Sequence, residues 1–229
     1  MRILVVCSEY GDLAKTGGLA DAVAGLSTAL AGKGHDVRVL LPKYSHLPPA
    51  GAAAQQFTDP SGRSRFFALR TSSSPQVYLI ELRSSAETAI YASDERDALR
   101  FLELSAGVPL LCAALDWHPD VFHCHDWQTA LVPALPGTKE IAPTVLTLHN
   151  LGHQGAYAAG VLAGNPFADL TGFIDPRARR KRAINFLRIG IGAADALTTV
   201  SPTYAEEIRS RKHGMGLERA IAEIGRAHV

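Results

Sequence analysis

Short runs of apolar, β-branched residues alternate along the chain with longer stretches in which apolar residues recur at helical spacing. The first run, residues 3–7, is apolar throughout, which is typical of a strand buried on both faces of a parallel sheet. Similar runs predict five further strands, at 37–41, 77–82, 121–124, 144–148 and 196–200. Helical spacing predicts helices at 19–32, 94–115, 127–135, 179–192 and 202–211. The alternation predicts a Rossmann-like α/β domain, in which helices cover both faces of a parallel sheet.

Two stretches lack this periodicity. Residues 48–64 are rich in Pro, Ala, Gly and Ser, and this composition predicts a loop. Residues 152–175 contain several glycines and prolines, and we expect a long surface excursion near a functional site.

Composition excludes several classes of protein. The chain has 229 residues, of which 47% are hydrophobic and 20% charged, so it can bury the core of one α/β domain. The net charge of +1 gives no electrostatic reason to expect nucleic acid or a membrane as a partner. A basic cluster, residues 177–182 with Arg188, has no aromatic residue within 177–182, so we interpret it as a solvated helix face. No apolar run reaches the roughly 18–20 residues of a membrane span, and Met1-Arg2 leads directly into a strand, so we expect a cytoplasmic protein.

The three cysteines, Cys7, Cys112 and Cys124, fall in or near predicted core elements. Their spacing matches neither a metal site nor a disulfide framework. We therefore expect them to be buried as small hydrophobic residues.

The loop between the first strand and the first helix carries the most informative motif. Gly17 and Gly18 let the backbone approach an oxygen-rich ligand without a Cβ in the way. The helix start offers unpaired N–H groups and the positive end of its dipole, and Lys15 adds a cation. The motif predicts a phosphate or sugar site at the carboxyl edge of the sheet, although tight packing beside a solvated lysine is an open alternative. It is neither the dinucleotide fingerprint nor a Walker loop.

Polar residues follow two other predicted strands. His149 and Asn150 come directly after the strand at 144–148, and Gln154 lies on the same loop. Asp126 follows the strand that contains His123 and His125, and its alternative role is the N-cap of the next helix. No third ligand is evident beside the two histidines, so we expect no metal. Two aromatic residues at this edge, Tyr10 and Trp127, are of a kind more often found in the core than on a sugar.

Five ordered blocks resemble the signatures of bacterial glycogen synthases and plant starch synthases. They are Ser8-Glu9 with KTGGLAD at 15–21, VLLPKY at 39–44, PDVFHCHDW at 119–127, LHNLGHQG at 148–155 and TVSPTYAEEI at 199–208. The resemblance implies the N-terminal lobe of a two-lobed GT-B glycosyltransferase, with the nucleotide-binding C-terminal lobe absent. Residues 1–222 would form the N-terminal catalytic domain. Residues 223–229 resemble a translated sequencing adapter, so we expect a non-native tail there. The alternative is a genuine helix end, in which Ile224 continues the face of Ile221.

The resemblance also implies an activity. A glycogen or starch synthase transfers glucose from ADP-glucose to the non-reducing end of an α-1,4-glucan such as glycogen, with retention and without cofactor, metal or protein nucleophile. It implies that His149 and Lys15 are catalytic and that substrate is bound by Lys15, Gly17, Gly18, Asp21, Asp126, Asn150 and Gln154. We expect the chain alone to be nearly inactive. The alternative is a glucan-binding lobe without catalysis.

The chain departs from the family pattern at three places. Gln128 stands where family members commonly have histidine, and Asp97 stands where an asparagine precedes the Arg-Phe of the middle helix. The segment before Ile184 is rich in arginine where the family has an aromatic-glycine run. These departures bear on the acceptor contacts and leave Lys15 and His149 intact.

Overall fold

A computed structural model describes residues 1–47, 54–69, 75–82, 89–162 and 183–224. The strands are β1 (Arg2–Val6), β2 (Asp36–Pro42), β3 (Ala54–Thr58), β4 (Arg65–Leu69), β5 (Gln76–Glu81), β6 (Val121–His125), β7 (Thr144–Leu148), β8 (Ala156–Ala158), β9 (Ala183–Asn185) and β10 (Ala196–Thr199). The α-helices are α1 (Gly18–Gly32), α2 (Glu95–Leu115), α3 (Thr138–Ile141), α4 (Phe186–Ala193), α5 (Pro202–Glu207) and α6 (Glu218–Ile224). Short 3₁₀ helices span Val132–Ala134 and Ala159–Leu162.

Eight strands form one mixed sheet in the order β10-β7-β6-β1-β2-β5-β4-β3. The first six strands of this order pair in parallel, whereas β4 and β3 are antiparallel to their neighbours. All six strands that the apolar runs predict are present, and they form the parallel part. Strands β8 and β9 form a separate antiparallel pair.

Helices cover both faces of the sheet, as the alternation predicts. Along β1, Leu4 and Val6 point into a core cluster that contains the apolar side chains of α2. Val5 and Cys7 point to the opposite face and join a second cluster with Val23 of α1. Side chains of this central strand thus alternate strictly between the two clusters. The alternation fixes the register of the strand, because a slip of one residue would exchange the two faces.

Helix α2 is long and apolar enough to cross a membrane by length and composition, with a mean hydropathy of 1.6 over its most apolar window. The core helix of a globular domain passes the same test, and 61% of that window is buried inside the chain. The sequence predicts this helix at 94–115, but the expectation that no apolar stretch reaches membrane length is corrected here: Arg100 and Glu103 interrupt the apolar run while the mean hydropathy stays high.

Several predicted elements differ from the observed ones. Residues 127–135 form turns and a 3₁₀ helix in place of an α-helix, because Pro133 lacks a donor and its ring clashes with the preceding turn. The predicted loop at 48–64 contains β3, and the predicted helix at 202–211 ends at Glu207. The predicted helix at 179–192 begins only at Phe186, after β9.

Some predictions fall on parts of the chain that the structure does not describe. Residues 163–175 of the predicted excursion and 177–182 of the basic cluster lie outside the described residues. The predicted tail at 223–229 begins inside α6, and residues 225–229 lie outside the described residues. The three cysteines are free and buried, as expected.

Candidate functional site

The carboxyl ends of the adjacent strands β1, β6 and β7 open onto a cleft of about 890 Å³. Parallel strands all end at the same edge, so residues far apart in sequence meet there. The predicted substrate-binding residues Gly17, Gly18, Asp126, Asn150 and Gln154 line the cleft, together with the predicted catalytic residue His149. Further lining residues include Glu9, Thr16, Tyr91, Asp97, Trp127, Gln128 and Tyr157.

The carboxylate of Glu9, just past β1, holds the glycine loop. It accepts hydrogen bonds from the backbone N–H of Thr16 at 2.7 Å and of Gly17 at 3.1 Å. The hydroxyls of Thr16 and Tyr91 also donate to it, at 2.8 and 2.6 Å. Burial alone would raise the pKa of Glu9, but these four hydrogen bonds outweigh it and lower the pKa. Glu9 is therefore an anion at neutral pH.

The two glycines of the loop face open space. A Cβ atom added at Gly17 or at Gly18 would meet nothing within 4 Å. Gly17 is the N-cap of α1 with an extended backbone, and no side chain caps the helix. The alternative in which tight packing requires these glycines is therefore wrong. The space that they leave belongs to the cleft.

Lys15 and Asp21 form an ion pair at the outer lip of the loop, with 2.7 Å between Nζ and Oδ1. Both side chains are exposed, and the hydrogen bond from Lys15 to Asp21 raises the pKa of the lysine. Neither residue is among the described residues that line the cleft. The structure thus brings six of the eight candidate residues together and places this pair beside them.

Asp126 ties the end of β6 to the end of β7. Its Oδ1 accepts from the backbone N–H of His149 at 2.7 Å and of Asn150 at 3.3 Å. The N-cap alternative is wrong, because turns follow this residue and its carboxylate reaches across to the next strand. Asp126 adopts a φ of 56°, a left-handed conformation that Asp tolerates better than most residues. Burial raises its pKa to about 6, against the two hydrogen bonds, and the charge of Glu9 adds to the rise.

Three histidines form a ladder across β6 and β7. His123 Nε2 lies 2.7 Å from Thr147 Oγ1, and His125 Nδ1 lies 3.0 Å from His149 Nε2. The rings of His123 and His125 stack with centroids 4.4 Å apart. Burial lowers the pKa of His123 to about 4, that of His125 well below its usual range, and that of His149 below 6.5. Within the described ranges, no group of three or more His, Cys, Asp or Glu residues is arranged to hold a metal ion.

Asn150 and Gln154 shape the loop after β7. Asn150 is exposed, and its Oδ1 accepts from the N–H of Gly152 at 2.8 Å. The amide nitrogen of Gln154 donates to the carbonyls of Leu151 and Met215, and its oxygen accepts from Asn185. The side chain of Gln154 is therefore engaged in holding the loop, whereas that of Asn150 stays accessible.

A family model described as the starch synthase catalytic domain matches residues 2–223. The chain belongs to the starch synthase catalytic-domain family. Glycogen synthase 2 of Geobacter metallireducens is 39% identical, over 96% of this chain and 49% of that protein. Glycogen synthase of Opitutus terrae is 37% identical, over 96% of this chain and 50% of that protein. The chain thus spans about half the length of the curated relatives it matches.

A solved structure supports the same assignment. The catalytic domain of starch synthase IV from Arabidopsis thaliana, described as bound to ADP and acarbose, superposes with a TM-score of 0.82 at 28% identity. The match covers 98% of this chain and 50% of that one. The predicted fold class, one lobe of a GT-B starch synthase domain, is confirmed.

Two departures from the starch synthase pattern meet in one hydrogen-bond network beneath the cleft. Gln128, which the resemblance matches to a histidine of the family pattern, is buried and donates to the hydroxyl of Tyr91 at 3.0 Å. Asp97, in the position of the family asparagine, accepts from the backbone N–H groups of Ala92 at 3.0 Å and Ser93 at 2.8 Å. It also pairs with the buried Arg100 at 3.2 Å. Asp97 therefore fixes the segment that carries Tyr91, and Tyr91 in turn holds Glu9.

Sequence reasoning missed most of this network. Glu9 follows β1 at the same sheet edge as Asp126 and His149, so the strand-end rule that found those residues could have found it. Tyr91 carries no comparable signal, because it lies outside any strand and reaches Glu9 across 82 positions of sequence.

The aromatic side chains near the cleft are mainly structural. Trp127 is buried and meets Phe101 edge-on, with ring centroids 5.0 Å apart. Gly155 lies against the indole with a φ of 60°, and a Cβ there would come within 2.4 Å of the ring. Tyr10 is buried in the cluster on the α1 side of the sheet. The structure agrees with the interpretation of Tyr10 and Trp127 as core residues, although one edge of Trp127 lines the cleft.

Proposed function

We propose that the full-length protein transfers glucose from ADP-glucose to the non-reducing end of an α-1,4-glucan with retention of configuration. This chain would supply the lobe that contacts the donor sugar and the acceptor. The observation that carries the proposal is the cleft in which the open Gly17-Gly18 loop faces the neutral imidazole of His149 and the buried carboxyl of Asp126. The names of the relatives, glycogen synthase and starch synthase, support the same reaction.

In this proposal the glycine loop binds the diphosphate and the glucose unit of the donor. The start of α1 offers N–H groups and a positive dipole end to an anion. Lys15 would leave its exposed pair with Asp21 and turn to the phosphates, because such a surface pair is worth only about 0–1 kcal/mol. Asp21 would then bind hydroxyl groups of the glucan.

His149 and Asp126 would act on the sugars. A neutral imidazole can donate to a hydroxyl of the transferred glucose and steady developing charge near the anomeric carbon. Asp126, Asn150 and Gln154 would line the path of the acceptor. The acceptor 4-hydroxyl would attack on the face from which ADP leaves and pass its proton to the departing phosphate, so no protein nucleophile is needed. We expect no metal or cofactor to take part.

The second lobe is an essential part of the proposal. A departing diphosphate needs fixed positive charge beside it. Among the described residues that line the cleft there is no lysine or arginine. We therefore expect that the 229-residue chain alone turns over very slowly and that a C-terminal lobe supplies the missing cations. The free, buried thiols suit a reducing compartment, in keeping with a cytoplasmic enzyme.

The test compares the full-length gene product with two glycine variants in an assay of ADP release with glycogen as acceptor. Gly17→Ala places a methyl group in the open cleft, and we expect kcat/KM for ADP-glucose to fall about tenfold or more, equivalent to about 1.4 kcal/mol. Gly25→Ala, on the exposed side of α1 with equal room for a Cβ, is the matched control and should leave kcat/KM unchanged.

Three results would overturn this function: no transfer by the full-length product, equal losses in both glycine variants, or robust transfer by the 229-residue chain. Glycogen cosedimentation without transfer, lost on Asp126→Ala, would instead favour a glucan-binding lobe. Proton NMR of the first product should show the α anomer, and a parallel assay with UDP-glucose tests the nucleotide.

A further inference from the structure

The parallel register of β6 and β7 places His125 beside His149. In this register His123 lies opposite Val145 and His125 lies opposite Thr147. Each histidine bonds not to its opposite residue but to the side chain two positions further along, His123 to Thr147 and His125 to His149. Side chains two apart on a strand share a face, so the ladder follows from strand pairing. His149 is its last member and the one that reaches the cleft.

The two nitrogens of His125 are in different surroundings. Nδ1 lies 3.0 Å from Nε2 of His149. Nε2 is buried and has no partner within the described part of the chain. The residue is 0% exposed and its pKa lies well below the usual range, so the ring is neutral and carries one proton.

The position of that proton follows from the cost of burying it. A proton on Nε2 would be a buried donor with no acceptor, which folded proteins avoid more strictly than an unfilled acceptor. A proton on Nδ1 instead donates to His149. We propose that His125 is a positioning residue that donates through Nδ1–H to Nε2 of His149 and so fixes the tautomer in which His149 presents Nδ1–H to the cleft.

The remaining contacts of His149 agree with this assignment. Its backbone N–H is held by Asp126, and its Nε2 is occupied by His125. Across the residues that the structure describes, Nδ1 of His149 has no hydrogen-bond partner. The imidazole therefore reaches the cleft as a donor. On the function proposed above, the His149 imidazole donates its proton to a lone pair of a sugar oxygen and does not accept a hydroxyl proton.

The experiment reads the tautomer directly from the 229-residue chain labelled with ¹⁵N-histidine. Long-range ¹H–¹⁵N correlation spectra distinguish protonated from unprotonated ring nitrogens. We expect His149 to carry its proton on Nδ1, although the free neutral imidazole of histidine favours Nε2. No nucleotide sugar or glucan is present, so failure of this proposal is distinguishable from failure of the proposed function.

Three variants test whether His125 is the cause. His125→Phe removes the donor and should move His149 mostly to the Nε2–H tautomer. His125→Asn restores an N–H near the position of Nδ1 and should keep the Nδ1–H tautomer. Thr147→Val removes the partner of His123 and is the matched control, which should leave His149 unchanged.

The wild-type spectrum alone can overturn the proposal, so it stays testable even where a variant fails to fold. A proton on Nε2 of His149 in the wild-type chain refutes it. An unchanged tautomer in His125→Phe, or an equal change in Thr147→Val, also refutes the role assigned to His125.

Discussion

Replacing Asp126 with asparagine should make the chain more stable at neutral pH. Burial raises the pKa of this carboxyl from 3.8 to about 6, so the folded chain holds its proton more tightly than the unfolded chain does. The stability linked to that proton is fully present below pH 3.8 and is lost as the pH rises through about 6. A difference of about two pKa units corresponds to about 3 kcal/mol, of which about 2 kcal/mol falls between pH 4.5 and pH 7.

Asparagine is a close replacement at this position. Its side-chain oxygen can still accept from the N–H groups of His149 and Asn150, and asparagine tolerates the φ of 56°. The variant lacks the titrating proton. We therefore expect its free energy of unfolding, relative to wild type, to rise by about 2 kcal/mol from pH 4.5 to pH 7.

The assay is urea denaturation followed by circular dichroism at closely spaced pH values. The difference between variant and wild type removes the contributions of Glu9 and the histidines, which both proteins share. Asp59→Asn, at the far edge of the sheet, is a control whose stability relative to wild type should change with pH in the opposite direction. Burial would raise the pKa of Asp59, but hydrogen bonds from Ser61 and Ser64 lower it. A pH-independent difference for Asp126→Asn, or one that falls from pH 4.5 to pH 7, would refute the reasoning.

The remaining predictions concern the network beneath the cleft. Tyr91→Phe removes a half-buried hydroxyl that donates to Glu9 at 2.6 Å and accepts from Gln128, and it should lower the free energy of unfolding by about 1–2 kcal/mol in urea denaturation. A loss below a few tenths of a kcal/mol would show that the hydroxyl does not hold the loop. Asp97→Ala removes the buried carboxylate that pairs with Arg100 and accepts from two backbone N–H groups, and it should cost about 3–5 kcal/mol in the same measurement. Asp97→Asn keeps one acceptor oxygen for the N–H of either Ala92 or Ser93 and should cost less than alanine, and equal losses would contradict the role of these hydrogen bonds.

The parallel core of the fold could be predicted because its signal is local. A strand buried on both faces is apolar at most positions, and the runs 3–7, 37–41 and 144–148 in β1, β2 and β7 meet that condition, with Arg38 their only charged residue. Strand β3, with Gln55 and Gln56 at the edge of the sheet, does not meet it. Residues 127–135 are wrongly predicted as a helix, because buried residues recur in compact turns at nearly the same spacing as in a helix.

The candidate site was predictable only where it follows from strand ends. His149 and Asp126 meet because β6 and β7 are parallel neighbours, and the sequence indicates both strands. In the loops that follow the strands, the direction of a side chain is set by the groups that it hydrogen-bonds or packs against. The pairing of Lys15 with Asp21 and the reach of Tyr91 to Glu9 depend on three-dimensional packing that no periodicity encodes.

The hydrogen bonds of Glu9 have a consequence for the thermodynamics of ligand capture. The glycine loop takes its shape from a carboxylate of the same chain, through the backbone of Thr16 and Gly17 and the hydroxyl of Thr16. Fixing the backbone of one residue costs about 1–2 kcal/mol in conformational entropy. That cost is met when the domain folds, so an incoming ligand does not have to order the loop. The same bonds occupy the N–H groups of Thr16 and Gly17 with a negative charge, so at the glycine loop an incoming anion is left the N–H groups of the first turn of α1, which begins at Gly18.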